Sequence, residues 1–463
     1  MTQLIGTIVC IAGIGWLFYL DRDSDSRPSS ALWIPTLWLL ISGSRSITEW
    51  LALRPAVSLA RQYSDSSPID ATFYAVLIAS GLAVLNFRSV RVRRFLCQNF
   101  PLFLFFAYCA LSVLWSDFPF VALKRWSKSV GDLVMVMVVL TDSYPKHAFR
   151  QLFKRAAFVL LPLSVLLIVL FPDVGTGYNP EDMAVMYLGV TTFKNMLGLI
   201  AMVCGLFSLG QMVCAYEDRT MPNRRGHLLA HAIIFATASW LIVKANSMTS
   251  LACLVLAGTV LVLAGQRSVQ RWHGGVPLVA AVGVMLPALA LFFDPLGPLL
   301  HSLGRNSTLT GRTLIWHAVL SLQTNPWFGA GFESFWLGSR LERVWHMSVD
   351  GIQEAHNGYL ELYLNLGWCG ILFLGAVIVS GYARVIAVFR TDRQHARLRI
   401  AFLTATLIFG MTEAGFRMLS PIWMAFLLAA CESQSLPIKE EVRRPSVLLW
   451  PGPMPRKQVR ILR

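Results

Sequence analysis

Apolar and polar residues alternate along this chain in long blocks, not at the short period of a soluble helix or strand. The first apolar run, Leu4 to Leu20, comes close to the ~20 residues needed to cross a bilayer. Others cover about Ala31 to Gly43 and Ala71 to Asn86, then end at Trp115, Leu140, Phe171, near Tyr216, at Ala245, before Gly265 and at Phe293. Three more follow a long mixed segment: one beginning at Glu361, one containing Thr412-Glu413, and one after the turn RMLSP. The pattern predicts an all-α polytopic bundle of about 12–13 spans, several of them shorter than the ~17 residues of an untilted crossing. No internal repeat of the kind that marks many secondary transporters is present.

The polar blocks carry the topology. RSVRVRRF (with Arg88, Arg91, Arg93 and Arg94), PKHAFRQLFKR, EDRTMPNRRGH, GQRSVQRW and RTDRQHARLR are basic and alternate in position. Positive-inside bias places them, and the Pro-rich basic tail, in the cytoplasm. Residues 1–293 then form an N-terminal membrane bundle, 294–360 a long extracytoplasmic loop, 361–435 the C-terminal membrane helices, and 436–463 the tail. Ser44 to Asp70 is expected to be external or interfacial. The segments SDFPFVALKRWSK and DVGTGYNPEDMAVMYLGVTTFKN are expected as external loops. They carry Lys124, Arg125, Lys128 and Lys194 against the charge bias. Cations held there need an anionic partner: a phosphate, the nearby Asp117, Glu181 or Asp182, or lipid headgroups.

Composition agrees with the block pattern. Of 463 residues, 55% are hydrophobic and 14% charged, with mean hydropathy +0.57. The net charge of +15 is accounted for by the loops, so no nucleic-acid partner is expected. The eight cysteines form no CxxC pair and read as small apolar fillers. The first run has no Lys or Arg before it and no small-residue cleavage site after it, which predicts a retained span.

Candidate chemistry gathers in the long external segment. In EAHNGYLELYLNLGWCG, Glu354 to Gly370, a polar turn runs into an apolar helix. Asn357 is placed to cap that helix, Glu361 suits its first turn, and His356 stands just before the cap. A titratable imidazole at a helix N-terminus can move a proton or hold an anionic leaving group; an ordinary cap with an incidental histidine is the plainer alternative. Upstream, TGRTLIWHAVLSL places Arg312, Trp316 and Val319 at i, i+4 and i+7, on one helix face. Gly329 and Gly331 of NPWFGAGFESFW permit a tight backbone. Short amphipathic helices here would lie over the external mouth of the bundle and let Arg312 face His356. Arg312 as an interfacial anchor is the competing reading.

The blocks LWSDFPFVALKRW, FKNMLG, NSMTS, LTGRTLIW…NPWFGAGFESFW and AHNGYLELYLNLGWCG resemble, in order, those of the O-antigen ligase and polysaccharide polymerase family. The similarity is greatest to the exopolysaccharide production branch. It spans about Leu114 to Gly370. One departure is Phe193, where the family often has histidine before the Lys194-Asn195 pair. The resemblance implies a glycosyltransferase of the bacterial inner membrane that uses no metal and no cofactor. It would act at the external leaflet on a polyprenyl-diphosphate-linked oligosaccharide, alongside membrane lipids and the flippase and chain-length or export proteins of a polysaccharide pathway.

In such a reaction the leaving diphosphate needs positive charge. Arg312 is the first candidate, with Arg125, Lys124, Lys194 and Asn195 behind it. The acceptor hydroxyl needs a base: His356, or else Glu354 or Glu361. No HExxH pattern points to a metal. A single displacement would invert the anomeric centre. The exopolysaccharide branch suggests polymerisation, with ligation to another acceptor as the alternative. From other classes, a lipid-linked glycan transporter would need charges deep inside the spans, Glu413 being the main candidate. A noncatalytic export scaffold would tolerate loss of Arg312 and His356.

Overall fold

The structure is a computed structural model that describes residues 1–22, 28–51, 67–179, 183–272, 274–293, 309–323, 325–347 and 352–432. The expectations for 294–308, for most of Ser44 to Asp70 and for the C-terminal tail lie outside these residues.

Within them the chain is an all-α polytopic membrane protein. The helices of ten residues or more are α1 (Thr2–Leu20), α2 (Trp33–Ser42), α3 (Pro68–Phe87), α4 (Ser89–Gln98), α5 (Phe100–Leu111), α6 (Pro119–Leu140), α7 (Pro145–Leu170), α8 (Lys194–Glu217) and α9 (Arg224–Ala245). They continue with α10 (Met248–Leu263), α11 (Gly275–Phe293), α12 (Leu309–Ser321), α13 (Gly338–Met347), α14 (Gly358–Val388), α15 (Arg393–Thr412) and α16 (Pro421–Ala430). Each apolar block becomes part of a helix. Six of these, α1, α3, α7, α8, α9 and α14, are long and apolar enough to cross a membrane, and the bent pair α4–α5 makes up to seven. Shorter apolar helices include α2, α10, α11 and α16.

Four polar segments differ from expectation. SDFPFVALKRWSK is not a loop: α6 starts at Pro119, and its 22 residues include Lys124, Arg125 and Lys128. Proline is pre-organised for a first helical turn, and no breaker follows it. The basic segments around Arg91 and Lys146 are likewise helical, in α4 and in the first turns of α7. The Gly- and Thr-rich loop after α7 contains a small antiparallel hairpin, Thr176–Tyr178 with Val185–Tyr187.

Helix α8 sits at the centre, packed against α7, α9, α10 and α15. Contacts between helix ends divide them into two sets: Asn195 and Gly358 meet Glu413 and Thr249 meets Thr412 at one, whereas Lys146 meets Asp392, Arg397 meets Glu217 and Arg224 meets Tyr216 at the other. Lys194, Asn246, Gly358 and Thr412 mark one end. Pro145, Glu217, Arg224 and Arg393 mark the other, basic end.

The segment before α14 is fastened to that helix backbone to backbone. Helix α14 breaks at Gly367 (φ +64°). Into the break fits the NPWFGAG turn, where Trp368 N donates to Pro326 O at 2.9 Å and Cys369 N to Trp327 O at 3.1 Å. Ala330 N and Gly331 N donate to Leu364 O and Asn365 O at 3.0 and 2.8 Å. Gly329 takes φ +69°, and a Cβ on it would lie 2.4 Å from Asn365 C. Only glycine combines a left-handed backbone with so close an approach.

Candidate active site

Sequence and structure agree on the turn that starts α14. Asn357 caps the helix, its side chain accepting from Tyr359 N at 3.0 Å and Leu360 N at 3.1 Å, a cap that contributes about 1 kcal/mol. His356 before it adopts φ +48°. Among the described residues six non-glycines have positive φ, and three of them, Glu333, His356 and Leu419, surround this turn. Left-handed backbone costs such residues of order 1 kcal/mol or more, and such strain tends to gather where side chains must be aimed.

What His356 is aimed at is Glu413. That residue is the C-cap of α15, one position beyond the helix that was expected to contain it. Its Oε2 lies 3.3 Å from His356 Nδ1. Its Oε1 accepts from Asn195 Nδ2 at 3.3 Å and stands 3.7 Å from an Arg312 guanidinium nitrogen. Glu413 itself is buried. Its backbone carbonyl also accepts from Gly358 N at 3.0 Å, locking the end of α15 to the start of α14.

A second carboxylate shares the imidazole. Glu354 Oε1 lies 3.2 Å from His356 Nδ1, and Oε2 accepts from Arg417 at 3.2 Å. Arg417 also faces Glu333 at 3.8 Å, and the Glu333 backbone carbonyl accepts from Arg125. The ionisable side chains thus form one continuous series from Glu333 through Arg417, Glu354, His356 and Glu413 to Arg312, and Arg125 joins it through the Glu333 backbone. Both carboxylates face Nδ1, which fixes the neutral tautomer as Nδ1–H. Nε2 has no hydrogen-bond partner among the described residues. Burial disfavours the imidazolium, but the Glu413 hydrogen bond and the charges of Glu354 and Glu413 outweigh it. The His356 pKa therefore lies above its ordinary value, with Arg312 opposing the rise.

The other candidates are placed as follows. Arg312 lies on α12 as the spacing predicted; on the same helix Trp316 Nε1 donates to Ala355 O at 2.8 Å and Val319 is buried. Asn195 joins the cluster. Lys194 opens α8 beside it and makes no hydrogen bond or ion pair among the described residues. Lys124 stands over the exposed Phe120 ring, 4.5 Å from its centroid, and no contact ties it to the cluster. Asp117 pairs with Arg340 at 2.6 Å, whereas Arg125 bonds to Glu333. Glu361 is in the first turn of α14, but its carboxylate accepts from Trp336 Nε1 at 2.8 and 3.0 Å and from Ala355 N. It clamps the preceding loop and does not touch His356. Arg417 went unread in the sequence, although a cation in the short turn RMLSP breaks the charge bias just as Arg125 does. A cavity lined in part by Ser129, Glu333, Glu361, Arg417 and Trp423 borders the cluster.

Among the described residues, two groups of side chains have metal-ligand character. Glu354, His356 and Glu413 offer one nitrogen and two oxygens within 4.8 Å of one another, and Asp21, His227 and His231, at the other end of the bundle, offer one oxygen and two nitrogens within the same distance. In the first, Arg312 and Arg417 already face the two carboxylates. In the second, Lys154 already pairs with Asp21 at 3.1 Å. Asp21 also begins an Asp-x-Asp-x-Asp spacing with Asp23 and Asp25, but the latter two lie outside the described residues.

Comparison with known proteins places part of the chain near one family. Residues 232–375 match a family model described as O-Antigen ligase, a stretch that holds Arg312, Glu354, His356 and Glu361. Glu413 and Arg417 lie beyond it. The chain is also similar to the exopolysaccharide production protein ExoQ of Rhizobium meliloti (strain 1021). The two are 23% identical over 364 residues, covering 76% of this chain and 80% of that protein.

Proposed function

We infer that this chain, whose residues 232–375 match a family model described as O-Antigen ligase, polymerises polyprenyl-diphosphate-linked repeat units into exopolysaccharide. The external face of the bacterial inner membrane is the proposed site of action. The observation that carries the reading is the meeting of His356, Glu413 and Arg312 at one end of the bundle. A transporter would instead need ionisable groups along a path through the membrane.

In the proposed reaction an acceptor sugar hydroxyl attacks the anomeric carbon of the donor. Its proton passes to His356 Nε2, while Glu413 and Glu354 hold the ring and stabilise the imidazolium that forms. The bond between the anomeric carbon and the diphosphate oxygen breaks, and polyprenyl diphosphate leaves as an anion. Arg312 turns from its loose 3.7 Å contact with Glu413 to bind that anion through two guanidinium N–H groups. Lys194 and Arg125 supply further positive charge, and residues 294–360 act as the catalytic loop. With cations already in place the step needs no metal, and one displacement inverts the donor carbon.

Ligation to a different acceptor is the second reading, favoured by the description of the matched family. Purified protein given lipid-linked repeat units as its sole glycan separates the two. Lengthening supports polymerase, and no product without a second acceptor supports ligase. The same assay with EDTA tests metal independence, and retained anomeric configuration in the product would sink the single displacement. In cells, normal polymer from both His356→Ala and Arg312→Ala at unchanged protein level would overturn the site.

A further inference from the structure

The basic end of the bundle holds a cavity that this chemistry does not use. It lies where α7, α8 and α15 meet, with roughly 660 Å³ of empty space, part of it open to solvent. Helix α15 separates it from Glu413 by 20 residues, about 30 Å at 1.5 Å per residue. Its walls include Lys146, Arg150, Gln211, Cys214, Gln394 and His395.

Two of these side chains are unfinished. Arg150 makes no hydrogen bond or ion pair among the described residues. Gln211 is 5% exposed, and its Oε1 is buried without a partner. A buried amide oxygen left alone costs about 1–3 kcal/mol and calls for a donor. The nearby acids are largely occupied: Asp392 pairs with Lys146 at 2.5 Å and caps α15, and Glu217 pairs with Arg397 at 2.7 Å. Asp218 is the remaining carboxylate near Cys214, and it is held by Thr220. On the inner wall, His395 is acted on by the cations Lys146, Arg150 and Arg399 against Asp392 alone. Tyr144 precedes α7 and Tyr216 closes α8; both are exposed. Exposed tyrosines at the ends of membrane helices mark the headgroup level.

We propose that this cavity binds the phosphate of an anionic glycerophospholipid whose headgroup also carries a hydroxyl. Arg150 and Lys146 take the phosphate oxygens, and Gln211 Oε1 accepts from the headgroup hydroxyl. Basic pockets between membrane helices take such headgroups. A glycerol headgroup supplies both the anion and the donor that the two unfinished side chains require. The inference is independent of the reaction at the other end.

The test uses the purified full-length protein and native mass spectrometry from micelles containing equal phosphatidylglycerol, phosphatidic acid and phosphatidylcholine. The wild type retains phosphatidylglycerol preferentially. Arg150→Gln lowers that preference about fivefold, as expected for one cation at a headgroup. Gln211→Leu keeps every charge; it erases the preference for phosphatidylglycerol over phosphatidic acid while retaining that for phosphatidic acid over phosphatidylcholine. Should Arg150→Gln not fold, Lys146→Gln, at a half-exposed side chain, repeats the measurement. Equal retention by wild type and variants overturns the proposal. No lipid preference, with millimolar inorganic phosphate raising the Tm of the wild type but not of Arg150→Gln, assigns the cavity to soluble phosphate and overturns the lipid.

Discussion

His356 and Glu413 lie 57 residues apart in the chain and meet at 3.3 Å between Nδ1 and Oε2. One sits in a left-handed turn before α14, the other at the C-cap of α15. Two helices that pack side by side bring the proposed base and the carboxylate that orients it together, with Gly358 N bonded to Glu413 O as the backbone pin.

This pairing sets a pH dependence. His356 has a pKa above its ordinary 6.5, and in the proposed reaction the neutral ring is the base. Transfer should therefore rise with pH through that raised value. Glu413→Gln removes one of the two carboxylates that raise it, so the acid limb should move to lower pH and the maximal rate should fall. The stability sign is opposite: protonation of His356 favours the fold below about 6.5, and that contribution fades as pH climbs through the raised folded value. Rate–pH profiles and Tm against pH for the wild type and Glu413→Gln check both. An unmoved acid limb would mean that another group is the base.

Arg312 is expected to act on the leaving diphosphate. Removing one preorganised donor to a developing anion typically costs about 10²–10³ in rate. Arg312→Ala should lose about that much, and Arg312→Lys should recover only part, because an ammonium cannot reproduce the planar two-point contact. Single-turnover transfer with purified lipid-linked donor is the measurement. Full activity in Arg312→Lys would reduce the residue to a diffuse charge.

Local patterns were legible in the sequence: the Asn357 cap, the face shared by Arg312, Trp316 and Val319, and the tight glycines. Each is encoded within a few residues. The partnerships were not. Glu413 reaches Asn195 across 218 positions, and Arg417 reaches Glu354 across 63; no spacing rule connects them. Arg125 broke the positive-inside bias, which is why it drew notice, and it extends the cluster through Glu333. Lys124 broke it equally and stands over an exposed ring instead. The charge bias marks cations in unusual places but not the direction in which they point. The polarity of the first turns of α6, up to Lys128, suggests a loop and only the apolar part from Ser129 suggests a span, although Pro119 at its start is a helix signal.

The break in α14 depends on Gly367. At φ +64° any side chain is strained, and a Cβ there would lie 2.3 Å from Trp327 C and O, which are backbone atoms that cannot step aside. Gly367→Ala should push the NPWFGAG turn off α14 and break the four backbone bonds that hold it, a loss above about 3 kcal/mol. Tm in detergent and the amount of protein in the membrane report it. Gly375 is the control on the same helix, because a Cβ there meets nothing within 4 Å, and Gly375→Ala should be neutral or slightly stabilising.

The turn that carries Glu413 and Arg417 is held from outside the cluster by Asp132 on α6. Its carboxylate accepts from Leu419 N at 2.9 Å and from Trp38 Nε1 at 2.8 Å. Leu419 is itself left-handed, at φ +56°, so the bond stabilises a backbone that would otherwise relax. Asp132→Leu leaves two buried donors unsatisfied, at about 1–3 kcal/mol each, and frees the turn. Both Tm and transfer rate should fall. Asp132→Asn keeps one acceptor oxygen and most of the volume, so it should recover stability before rate, because Glu413 needs its position to within a fraction of an ångström to hold His356. If Asp132→Asn restores the two in step, the turn tolerates movement, and the aim of His356 is set by α14 alone.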